Sequence, residues 1–227
     1  MSHRTLLVVL SMTVACGHAP APSSATTSPA PSASQPVTTS ATVAAVADVG
    51  KPAPDFTLPD TEGHPVHLAD YRGKTVVLEW FNPGCPFVKA AHTKGSLVDA
   101  AKRRTAEGVV WLAINSAAPG RQGYGADATR EGKTRFGLAH PILLDESGSV
   151  GHAYGATNTP HLFVIDAQGT LVYRGAVDNS PDGEGDSPTD DKLVSYLDAT
   201  LADLAARRPV RTPVTKAYGC SVKYAQH

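Results

Sequence analysis

Net charge is almost missing from this chain. Its 227 residues carry 20 Lys plus Arg against 21 Asp plus Glu, which leaves no field of one sign to draw in nucleic acid or an anionic membrane surface. Nucleic-acid binding is therefore not expected, and partners are expected to be proteins or small molecules. The apolar stretch near the N-terminus, Leu6 to Val14, is about half of the roughly 20 residues that a spanning helix needs. No internal repeat points to a duplicated architecture, so one domain is the starting expectation. Cysteine is scarce too, with three in all: Cys16, Cys85 and Cys220.

What is present begins with an export signal over residues 1–16: a basic start at Arg4, the apolar stretch, then small residues before Cys16. The run Thr13-Val14-Ala15-Cys16 resembles a bacterial lipobox, which would make Cys16 the lipidated first residue of the mature protein. Thr13 stands where leucine is usual, so ordinary cleavage near Ala15 is the alternative. Residues 17–47 are almost wholly Ala, Pro, Ser and Thr, a composition with too little apolar bulk to offset the entropy of ordering. They are expected to form a disordered tether with a reach on the order of 30 Å. Both readings place the following domain outside the cytoplasm, in a bacterial cell envelope, touching the membrane through a lipid anchor only.

From residue 48 the pattern alternates between buried-strand runs and helical periodicity. Residues 75–81 (TVVLEWF) and 109–115 (VVWLAIN) read as buried strands, and 141–145 (PILLD) as a shorter one. Helices are expected over 86–104, with Gly95 a soft spot, over 127–136, and over 192–207, where apolar residues recur at 193, 194, 197, 201 and 204. Residues 161–166 and 170–175, joined by Ala-Gln-Gly, predict a hairpin. Strand, helix, strand, helix, hairpin and terminal helix is an α/β order, parallel in its first half and antiparallel in its second.

With FTLPD (56–60), LEWFNPGCPF (78–87), TPHLFVID (159–166) and the Gly169-x-Leu-Val-Tyr hairpin, residues 50–206 resemble the thioredoxin superfamily. The likeness is greater to redoxins of the alkyl hydroperoxide reductase and thiol-specific antioxidant branch. The resemblance implies a thioredoxin-like fold over 48–206, a central mixed sheet flanked by helices, and a C-terminal tail over 207–227.

Cys85 falls where a parallel strand ends and a helix begins, with Pro86 at the first helical position that proline favours. A thiolate there faces free backbone N–H groups and the positive end of the helix dipole, which makes it a nucleophile. Carboxyl ends of parallel strands are also where open α/β sheets place their chemistry. The plain alternative is a buried or disulfide-bonded structural cysteine. Thioredoxins carry Cys-x-x-Cys here, but position 88 is valine, so a resolving thiol must come from elsewhere. Cys220 is the candidate, since many peroxiredoxins resolve from the C-terminus. An intermolecular bridge and a free tail thiol stay open.

The resemblance implies three further assignments. Thr159 and Pro160 take the place of the thioredoxin cis-proline, an edge that pairs with substrate backbone. Glu79 takes the place of a buried acid that moves a proton to the resolving thiol, and burial on the face of Val77 and Phe81 predicts a raised pKa. A structural ion pair is its alternative. Asn82 stands where peroxiredoxins have Thr or Ser, Leu78 where they have proline, and Pro160 where they have arginine. These departures favour thiol-disulfide exchange with Cys85 attacking and Cys220 resolving. A peroxidase, with Asn82 and Arg121 as a substitute peroxide site, is the enzyme alternative. A non-catalytic scaffold with a structural disulfide is the alternative of another class.

Substrates would be a thiol- or disulfide-bearing protein or a small-molecule peroxide, with an electron donor of unknown identity. No cofactor is expected. The histidines at 64, 67, 92, 140, 152 and 161 show no tight ligand spacing, and the acidic stretch 178–191 misses the EF-hand pattern, so no metal is expected either.

Overall fold

The computed structural model describes residues 46–226. The expected export signal with Cys16, and the Ala/Pro/Ser/Thr-rich stretch up to residue 45, lie outside the described residues. At its end Ala47 is already buried, its N–H donated to the Ala153 carbonyl at 2.7 Å. The folded part thus starts ahead of residue 48.

A small hairpin of β1 (Thr57–Pro59) and β2 (Pro65–His67) comes first. There follow β3 (Val76–Trp80), α1 (Pro86–Thr93), α2 (Ala100–Ala106), β4 (Val110–Asn115), α3 (Gly125–Arg135) and β5 (Ile142–Leu144). The second half holds α4 (Ser149–Tyr154), β6 (Asn158–Thr159), β7 (His161–Ile165), β8 (Leu171–Gly175), α5 (Tyr196–Ala205) and β9 (Cys220–Ser221). The central sheet runs β5-β4-β3-β7-β8. Its β5, β4 and β3 are parallel, whereas β7 and β8 join antiparallel. This is the mixed sheet that the sequence predicts.

Both faces of β3 are covered, which is why its sequence is an unbroken apolar run apart from Glu79. Val76, Leu78 and Trp80 pack with Phe56, Tyr154 and Phe163 on one face. Val77 packs with Ala91, Ala100, Leu197 and Leu201, from α1, α2 and α5, on the other. Each fully buried large apolar side chain contributes about 1.5–3 kcal/mol. Among the described residues no helix is long and apolar enough to cross a membrane.

Three expectations need correction. The helix over 86–104 is two helices, because the Lys94 and Gly95 N–H groups both turn back to the Ala90 carbonyl and the chain re-enters a helix only after Asp99, at φ 51°. Gly95 packs so tightly on Gly183 that a Cβ would overlap its carbonyl oxygen. The last helix starts at Tyr196, capped by Ser195, whose Oγ accepts from the Asp198 N–H at 3.1 Å. Leu193 and Val194 precede it, each 41% exposed, so the apolar stripe shrinks to Leu197 and Leu201 with half-buried Leu204. Helix α4 was not expected in so glycine-rich a segment. It is held by the buried Asp145 carboxylate, which accepts from the Val150 and Gly151 N–H groups at 3.3 and 2.8 Å.

Gly95→Ala reads as favourable by helix propensity. The contact with Gly183 reverses that expectation: the substitution should lower the unfolding free energy by about 1–3 kcal/mol, measured by urea denaturation. A neutral or stabilising effect would show that the loop around Gly183 yields freely.

Candidate redox site

Strand β3 delivers the chain to the site, and an Asn-Pro-Gly turn carries it into α1. Cys85 is the N-cap of α1, in extended conformation, with Pro86 opening the helix. The thiol is not on open surface: Cys85 is only 2% exposed and packs with Phe81, Val88, Ala113 and Ile142. Its Sγ donates to the Thr159 carbonyl at 3.1 Å.

The turn before Cys85 is braced from below. Asn82 donates its amide to the Gln122 carbonyl at 2.9 Å and accepts from the Gly84 N–H at 2.9 Å. Gln122 returns a bond from its side-chain amide to the Gly84 carbonyl at 3.1 Å. Gly123, at φ 78°, sits so close that a Cβ would overlap the Asn82 amide. Asn115, at the end of β4, then ties Gly123 and Thr129. Asn82 therefore spends its hydrogen bonds on holding two loops together. Gln122 and Asn115 were missed by the sequence reading, because a polar residue in a loop or at a strand end carries no local signal of what it reaches. Arg121 is half-buried in the same loop.

The Thr159–Pro160 peptide bond is cis. Its strand, β6, pairs antiparallel with β9, and Thr159 stands directly opposite Cys220. The tail thus brings the second thiol to the first. Both cysteines are free thiols. Cys220 is half-buried, and its thiol is pushed up to about 11, by burial first and then by a hydrogen bond with Cys85 and the charge on that sulfur. The Thr159 hydroxyl is buried and has no hydrogen-bond partner among the described residues.

Glu79 is fully buried, as expected. Its carboxylate accepts from His92 Nε2 on α1 at 2.7 Å and from Trp111 Nε1 on β4 at 3.0 Å. Burial alone would push this carboxyl up. The charge and hydrogen bond of His92, the charge of His140 and the Trp111 indole outweigh it, and Glu79 is held below its ordinary value. The raised pKa predicted for Glu79 is thus overturned, because two donors hidden in the sequence meet its oxygens. Neither oxygen is bonded to a thiol among the described residues. Leu78 points to the opposite face, into the core with Trp80.

His161, beside Pro160, accepts weakly from the Thr157 N–H through Nδ1 at 3.3 Å and lies on Phe163 with ring centroids 4.5 Å apart. Burial, then the charge of Arg174, pushes it down to about 4. Burial likewise takes His140 down to about 4, against the pull of Glu79. No cluster of three metal-ligating side chains occurs among the described residues.

These buried rings make stability acid-sensitive. The folded chain keeps His140 and His161 neutral where the unfolded chain protonates them near pH 6.5, so unfolding takes up protons and stability falls from pH 6.5 towards 4. Each ring accounts for on the order of 3 kcal/mol at most. Glu79 acts further down: its contribution is complete above the ordinary carboxylate range and is lost as pH falls through its depressed value. Urea denaturation at pH 7 and pH 4.5 should show a large loss in the wild type and a smaller one in His161→Gln. Equal losses would mean that His161 is protonated in the folded protein.

Comparison with known proteins places this geometry. The Redoxin family pattern matches residues 48–193. The thiol-disulfide oxidoreductase ResA of Geobacillus kaustophilus is 35% identical over 124 residues, 54% of this chain and 66% of that protein, so the match spans just under two thirds of the relative's length. A Mycobacterium tuberculosis protein provisionally named as a peroxiredoxin is 32% identical over 133 residues, 57% of this chain and 77% of its own. Among solved structures, an uncharacterised conserved protein of Geobacillus kaustophilus superposes with a TM-score of 0.68 at 30% identity, covering 79% of this chain and 94% of that one. Sheet order and the cis-proline beside the cysteine complete a thioredoxin-like fold.

Proposed function

The chain belongs to the redoxin family, and from that premise we propose that it is a thiol-disulfide oxidoreductase in which Cys85 attacks and Cys220 resolves. The observation that carries this reading is the pairing of Thr159 with Cys220 while the Cys85 thiol sits on the Thr159 carbonyl. A strand register holds the two sulfurs as neighbours, which makes resolution an intramolecular step of high effective concentration.

In the first step the Cys85 thiolate attacks one sulfur of a disulfide R–S–S–R, a mixed disulfide forms, and one R–S⁻ leaves. Cys220 then gives up its proton to the departed R–S⁻, which becomes R–SH, its sulfur attacks the Cys85 sulfur, and the second R–S⁻ leaves. Two thiols have become one disulfide, and two electrons have passed to the oxidant. The high pKa of Cys220 keeps it protonated beside Cys85 until the mixed disulfide forms, so the attacking and resolving roles stay separate. Cys85 attacks from the N-cap of α1, at the carboxyl end of a parallel strand.

Glu79, a carboxylate bonded to His92, acts on the thiols through its charge and by positioning the helix that carries Cys85, not by direct contact. The unpartnered Thr159 hydroxyl is a free donor for a reacting sulfur at the same edge. The reacting partner bears a thiol or disulfide, a separate donor returns the electrons, and the export signal expected over residues 1–16 would put both in the cell envelope.

After oxidation by a disulfide, a non-reducing peptide map should show Cys85 joined to Cys220. Cys85→Ser should slow exchange by roughly 10³-fold or more, whereas Cys220→Ser should accumulate the mixed disulfide. Turnover of hydrogen peroxide with no disulfide exchange would overturn the reading in favour of a peroxidase. A Cys85 thiol inert to both would leave the scaffold alternative.

Retaining the bonds of Glu79 matters for rate as well as for fold. Glu79→Gln keeps the side-chain shape and removes the charge, so exchange should slow by about tenfold and its pH profile should shift, a change within the usual range for lost acid–base assistance or less. An unchanged profile would leave Glu79 a purely structural partner of His92.

A further inference from the structure

The edge beside a cis-proline is where the resemblance places a substrate backbone, yet here it is occupied. Asn158 and Thr159 pair with Ser221 and Cys220. The pairing continues through the Val222 N–H to the Thr157 carbonyl at 3.0 Å and from the Asn158 side-chain amide to the Gly219 carbonyl at 3.1 Å. Gly219, at φ 103°, brings the tail in so closely that a Cβ would overlap the Thr159 carbonyl.

The tail is fastened on both sides of this contact. Before it, Thr215 pairs with Arg174 of β8 at 3.1 Å, and the Tyr218 hydroxyl donates to Asp178 at 2.8 Å. After it, the Ala118 N–H donates to the Lys223 carbonyl at 2.8 Å, and the Tyr224 hydroxyl to the Ala156 carbonyl at 2.8 Å. The Tyr224 ring stacks on His152 with centroids 4.1 Å apart, and a Cβ at Gly148 or Gly151 would collide with it. Residues 213–224 thus form a strap. Between the strap and the loop after β8 lies a cavity of about 430 Å³, bounded by Asn158, Asp178, Tyr196, Lys216, Tyr218 and Gly219, the neighbour of Cys220. That volume suits a small molecule and not a polypeptide.

We infer that the strap sets the size of the substrate: an extended polypeptide reaches the cis-proline edge only when the strap opens, whereas a low-molecular-weight disulfide needs no strand edge and only a local movement at Gly219 to reach Cys85. This inference rests on the exchange reading above. With either substrate, two protein thiols and R–S–S–R yield the Cys85–Cys220 disulfide and two R–SH. Reaction with a polypeptide is slowed by the fraction of molecules whose strap is open.

The test compares the rates at which hydroxyethyl disulfide and a disulfide-scrambled, unfolded protein oxidise the pair, in wild type, Tyr224→Phe and Tyr224→Ala. Tyr224→Phe removes one hydrogen bond, and Tyr224→Ala also removes the stack on His152. Hydrogen exchange over residues 218–226 reports strap opening, and exchange over β3 and β4 confirms the fold. The wild type should prefer the small disulfide by about tenfold or more. Loosening should raise the protein rate about fivefold, in the order Phe then Ala, with the small-disulfide rate nearly constant. Equal wild-type rates, or an unmoved protein rate in a variant whose strap exchanges faster, would overturn the inference while leaving the exchange reading intact. Oxidation by neither probe would overturn the exchange reading itself.

Discussion

The short edge at Thr159 holds the site together. A backbone edge in a buried place must find partners for its N–H and C=O groups, and here the chain supplies them from its own C-terminus. That requirement brings Cys220 opposite Thr159, while the Thr159 carbonyl receives the Cys85 thiol. Two cysteines far apart in sequence thus come to lie beside one another within one chain. The glycine at 219 and the notch at Gly148 and Gly151 that receives Tyr224 are the sequence features that let the tail come so close.

A second constraint lies under the site. A lone carboxylate in a sealed core is costly, and removing one member of a buried pair costs more than the pair is worth. Glu79 is tolerated because His92 and Trp111 both donate to it. His92 belongs to the helix that Cys85 caps, and Trp111 to the strand paired with β3. One buried charge therefore locks α1 and β4 to β3, so the orientation of the helix that Cys85 caps is coupled to the core.

Much of the fold was legible because its signals are local. The apolar runs at β3 and β4 and the β7–β8 hairpin follow from periodicity and turn residues, and Pro86 marks the start of α1. Other features were hidden for a physical reason: the break after Thr93 depends on Gly183, α4 on the Asp145 carboxylate, and the late start of α5 on the Ser195 cap. Asn82 shows the same limit, since its loop bonds go to Gln122 and Gly84, and only the former is distant.

By itself the sequence determined that Cys85 stands at the junction of a buried strand and a helix, because hydrophobic period, a proline and a glycine turn act within a few residues. It also determined that no second cysteine lies in the adjacent helical turn. Tertiary structure alone decided which thiol Cys85 meets, the direction of the Glu79 pKa, and that the cis-proline edge is already filled. Those depend on distant chain segments being brought together, where burial and opposing hydrogen-bond donors outweigh what any local pattern encodes.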